Sequence, residues 1–98
     1  NIEAQVQSGI IFGLSAAMFN EISLVDGAVQ QRNFHNYPIM RISQAPRINV
    51  RIFENGSRIR GIGEPGTPPA APALGNAIYA ATGARLREMP FSKRVRFA

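Results

Sequence analysis

Three glycines and four prolines fall within the twelve residues Gly61 to Pro72, GIGEPGTPPAAP. Proline fixes φ and has no amide proton, so neither a central strand nor a helix interior passes through such a run. The run is not a flexible linker, because a helical pattern begins where it ends: Leu74, Ala77, Ile78 and Ala81 share one helical face. Thr67 or a neighbour can cap that helix, the prolines suit its first turn, and Gly83 can end it in the left-handed conformation. The expectation is a rigid loop over 61–72 feeding a helix over 73–82.

The rest of the chain is organised around this loop. Ile2, Val6, Ile10, Leu14 and Met18 recur every fourth residue and predict a helix over 1–19. Gly9, Gly13 and Ala17 form a second stripe of small residues at the same spacing, which suits close packing or backbone approach to a large flat ligand. Asp26-Gly27 predicts a two-residue turn between a strand over Glu21–Val25 and a return over Ala28–Asn33. Phe34 to Pro38 is a break, and Ile39–Ile42 is a short strand or a turn. After Pro46, Ile48, Val50 and Ile52 alternate with Asn49 and Arg51, the period of a third strand. Asn55-Gly56 then turns the chain toward a fourth at Arg58–Arg60. The expected fold class is α+β: a small antiparallel sheet of three to four strands (21–60) packed with an N-terminal and a C-terminal helix, followed by a basic tail over 84–98.

Composition narrows the function classes. With 98 residues, one domain is the most the chain can form, and a chain of this size buries only about 60–65% of its unfolded surface. The chain has no cysteine, which excludes a disulfide scaffold, a thiolate zinc site and a cysteine-held iron–sulfur cluster within it. The apolar stretch from Gly9 to Phe19 is 11 residues, against about 20 needed to span a bilayer. No basic n-region opens the sequence, so no signal peptide is expected within it. The net charge of +5 comes from ten arginines and one lysine against six carboxylates, densest from Arg85 to Arg96. Such a tail can neutralise phosphate, but only Phe91 and Phe97 interleave these cations, and a solvated terminus or an interface arm is the expected use.

Few residues can carry chemistry. A single histidine, His35, excludes a histidine-rich metal site and lies in a turn-forming context. Asp26 belongs to a turn, and Glu3, Glu21, Glu54 and Glu88 fall at element ends. Glu64 differs from these. Pro65 keeps it out of the right-handed helical region, and Gly61, Gly63 and Gly66 leave the backbone around it bare. The following helix is expected to aim free amides back toward the loop. Two readings of Glu64 stand side by side: a general base on a stiff loop, or a turn residue that caps the helix.

Three blocks then point to a family. GIGEPGTPPAAPALGNAIYAATG (Gly61 to Gly83) resembles the active-site glutamate loop and following helix of the xanthine dehydrogenase/aldehyde oxidase family of molybdenum hydroxylases. AQVQSGIIFGLSAAMF (Ala4 to Phe19) is similar to the stretch that precedes that loop. NFHNYPIMR (Asn33 to Arg41) matches a turn of the isoquinoline 1-oxidoreductase-like large subunits. The resemblance covers almost the whole chain, in order.

The resemblance implies that residues 1–98 are the C-terminal part of a molybdenum cofactor-binding domain in a much longer large subunit. It implies that Glu64 is the general base beside molybdenum in the hydroxylation of an N-heterocycle or aldehyde with water as oxygen source. Gln5 matches a glutamine that contacts the molybdopterin cytosine dinucleotide; by spacing alone it is a helix-surface residue. No residue of this chain is expected to ligate the metal, and the isolated chain is expected to hold no cofactor and to be inactive. The implied partners are the rest of the large subunit, a small iron–sulfur subunit and a small-molecule substrate, in a bacterial cytoplasm or periplasm. Neither a membrane nor nucleic acid is an expected partner. The alternative is a non-catalytic, free-standing binding module.

Overall fold

The computed structural model describes residues 1–56 and 58–97. Helix α1 spans Ile2–Met18 and helix α2 spans Ala70–Thr82, and the two pack against each other. Between them lie a hairpin of β1 (Leu24–Val25) and β2 (Ala28–Val29) and a 3₁₀ turn at Ile42–Gln44. A second 3₁₀ turn at Phe91–Lys93 follows α2. The α+β class holds, but among the described residues the sheet is this one antiparallel hairpin.

The face α1 buries is not its large apolar one. Gly9, Gly13, Ala17 and Met18 are buried, whereas Val6, Ile10 and Leu14 are half-buried and Ile2 is exposed. The small stripe wins because only there can another backbone come close. A Cβ on Gly13 would lie 2.6 Å from the Thr67 carbonyl oxygen and 2.7 Å from the Ala70 Cβ. Ser15, also buried, accepts the Met40 amide proton on its Oγ at 2.9 Å and so ties the mid-chain turn to α1.

Helix α2 starts three residues earlier than expected, with Pro72 in its first turn and Pro69 at the N-cap position, where no side-chain cap bond is made. It ends at Gly83 with φ 75°, as its sequence implies. Ala70, Leu74 and Ile78 face inward, while Ala77 and Ala81 are exposed, so the inward stripe is narrower than the sequence pattern suggests. The turn Asp26-Gly27 adopts φ values of 49° and 78°, the left-handed pair a two-residue hairpin requires. Pairing sets Leu24 against Val29 and Val25 against Ala28, and stops soon after. The expected third and fourth strands at 46–60 pair with nothing among the described residues, because no other strand here is long enough to receive them.

The C-terminal stretch is a structural element rather than a solvated arm. Phe91 joins Ala17 and Ile78 in the core, with Leu86, Val95 and Phe97 packed around them. Phe97 meets Phe19 edge to face at 6.5 Å. Lys93 pairs with Glu21, and Arg94 with Glu88 at 3.1 Å.

The core is small for the chain. The accessible surface is 8023 Å², against about 5,500 Å² for a compact monomer of this mass. Phe12, Phe34, Ile42, Phe53 and Ile59 all stand at 72% exposure or more. A chain with this much uncovered apolar surface is built to be packed against something else.

Two substitutions test this account by denaturation of the full-length gene product. Gly13→Ala forces a Cβ into the Thr67 carbonyl and should cost about 1–3 kcal/mol. Ser15→Ala leaves the buried Met40 amide without an acceptor and should cost about 1–3 kcal/mol.

Candidate active site

The glycine–proline loop is pressed onto α1 at two levels. A Cβ on Gly66 would lie 2.9 Å from the Val6 carbonyl oxygen and 3.2 Å from the Ile10 nitrogen, so only glycine allows this approach. One turn further along α1, the Thr67 hydroxyl donates to the Gly9 carbonyl oxygen at 3.1 Å. The loop also closes on itself, the Thr67 amide donating to the Glu64 carbonyl oxygen at 2.9 Å. Thr67 therefore pins the loop instead of capping α2.

This pinning presents Glu64. Its carboxylate is exposed and makes no hydrogen bond or ion pair to a described residue. It lines a groove of about 450 Å³ together with Ser8, Phe12, Gly63 and Pro68, with Gly9 in its wall. The cap reading of Glu64 fails on this geometry, since α2 begins six residues later with no side-chain cap bond. The expected row of free amides at the start of α2 is also short. The Ala70 amide is already bonded to the Thr67 carbonyl and Pro72 has none, leaving Ala71 among the first three helical residues.

Gln5 is exposed on the first turns of α1 and its side chain makes no hydrogen bond to a described residue. It does not line the Glu64 groove, yet it is the neighbour of Val6, against which Gly66 rests. The fold therefore does not bring Gln5 into the groove that Glu64 lines. His35 is exposed in the turn at 33–37 and has no part in this groove. No group of three His, Cys, Asp or Glu able to hold a metal ion exists among the described residues. Sequence reasoning missed Ser8 and Phe12; the signal was their spacing of four, beside the Gly9/Gly13 stripe.

No protein-family model matches the sequence. Individual relatives do. The chain is 40% identical over 89 residues, 91% of its length, to isoquinoline 1-oxidoreductase subunit beta of Brevundimonas diminuta, of which it covers 11%. It is 30% identical over 99 residues, 94% of its length, to the xanthine dehydrogenase molybdenum-binding subunit of Escherichia coli O157:H7, of which it covers 13%. Over about 90% of its length the chain is similar to subunits of the xanthine dehydrogenase/aldehyde oxidase family. A further relative is the membrane-bound aldehyde dehydrogenase of Gluconacetobacter polyoxogenes, whose name carries pyrroloquinoline quinone. It is 38% identical over 88 residues, covering 90% of this chain and 11% of that protein. The chain spans roughly a tenth of the length of the curated relatives it matches. These family members include molybdenum-binding subunits of oxidoreductases.

Thr67→Val keeps the shape of the side chain but removes its donor. The variant should lose about 0.5–1.5 kcal/mol in denaturation, and limited proteolysis should cut faster within 61–68.

Proposed function

We propose that this chain is the part of a molybdenum hydroxylase large subunit that supplies the general base, Glu64. The observation that carries the reading is an unpaired carboxylate on a loop locked to a helix, facing an open groove. A Cβ on Gly61 or Gly63 would meet nothing within 4 Å, and neither residue has a left-handed φ. Neither packing in this chain nor backbone strain therefore calls for glycine at these positions, which suits the close approach of a large group from outside it.

In this reading residues 1–98 are the C-terminal part of the cofactor-binding domain, and Gln5 offers a side-chain amide to a molybdopterin cytosine dinucleotide. When bound, the cofactor supplies two-electron redox chemistry. Glu64 takes up a proton at a carboxylate oxygen as water-derived oxygen becomes the nucleophile toward an electron-poor carbon of an N-heterocycle or aldehyde. The Gly66 and Thr67 contacts with α1 keep that carboxylate in position. The remainder of the large subunit and a small iron–sulfur subunit complete the enzyme.

Glu64→Gln removes the base and keeps the shape. In the full-length gene product it should lower turnover by about 10²–10⁴-fold with molybdenum content unchanged. Wild-type turnover in that variant would refute the role. Metal analysis of the same protein separates a molybdenum enzyme from a quinone enzyme. The purified 98-residue chain should bind no molybdenum and reduce no acceptor dye, and stoichiometric metal in it would overturn the proposed division of the site.

A further inference from the structure

Residues 46–56 and 58–63 make no hydrogen bond, by backbone or side chain, to any described residue. From Arg47 to Phe53 the amides and carbonyls thus form a row without partners among the described residues. The side chains along that row alternate. Ile48 and Val50 are half-buried against the rest of the chain, and Ile52 stands on the same side at 49% exposure. Arg47, Asn49, Arg51 and Phe53 are exposed, and in an extended segment they alternate with Ile48, Val50 and Ile52 across its two sides. Period-two alternation of β-branched residues along an unpaired backbone is the template another strand adds to.

We propose that Arg47–Phe53 is a β-strand completed by a strand from the remainder of the same polypeptide. The inference rests on the proposed place of this chain within a large subunit and adds the surface by which it docks there. The hairpin cannot be the partner: its strands are two residues each, against seven here. The relatives provide far more chain than is needed, this sequence spanning only 11–13% of them. Ile52 at 49% and Phe53 at 72% exposure leave apolar surface of this stretch uncovered. The complementary strand carries apolar residues opposite Ile48, Val50 and Ile52, and at least one carboxylate facing Arg47 or Arg51.

Hydrogen exchange of the full-length gene product, followed by mass spectrometry with site-resolving fragmentation, tests this. The alternate amides between Ile48 and Phe53 that face the added strand should exchange at least about 100-fold slower than in a free peptide of the same sequence, at every protein concentration. Exchange at the free-peptide rate overturns the proposal. Protection that develops only as concentration rises also overturns it, because the partner is then a second copy. Intact mass separates the two levels of failure. A product of 10.7 kDa ends the large-subunit reading and this inference together, whereas a large product with unprotected amides ends the inference alone.

Discussion

Everything in this chain hangs on a backbone-to-backbone contact between α1 and the glycine–proline loop. Gly9 and Gly13 on one side and Gly66 on the other remove the side chains that would hold the two apart. Thr67 then fixes the register with its bond to the Gly9 carbonyl. Because α2 follows the loop directly, the contact also sets how α2 lies against α1, and with it the cluster of Ala17, Ile78 and Phe91. Substituting any of the three close-approach glycines therefore disturbs packing and the placement of Glu64 together.

The same contact explains why a carboxylate can be presented without support of its own. Glu64 has no ion pair and no side-chain hydrogen bond to a described residue. Its position comes from the backbone: the turn closed by Thr67, the proline after it, and the helix beneath. A group held in this way can be approached from outside without displacing a described side chain. Gly61 and Gly63 leave the approach open from the other side.

Much of the fold and the site was readable from residue patterns. The helix periodicities, the left-handed Asp26-Gly27 turn and the stop at Gly83 all depend on interactions within a few residues. Glu64 stood out because glycine and proline restrict it locally. Three features were not readable in this way. Which stripe of α1 is buried depends on what packs there, and the loop's need for close approach outweighs the larger area of the Ile/Leu stripe. Thr67 as a pin, not a cap, depends on Gly9, 58 residues away in sequence. The folded C-terminal stretch reads as charge in sequence, yet Phe91, Val95 and Phe97 anchor it.

The strands show where local information stops. Alternation in Arg47–Phe53 specifies which side of the segment is apolar, but a strand exists only when a second backbone supplies the hydrogen bonds. By itself, then, the sequence determined the two helices, the stiff loop, the likeness to a family and the carboxylate that loop carries. The tertiary structure alone decided which helix face is buried, how Glu64 reaches an open groove, and that the third strand finds no partner within these residues. The difference is one of range. Turns, caps and periodicities are set by neighbours along the chain, whereas close approach and sheet pairing depend on groups that only folding brings together.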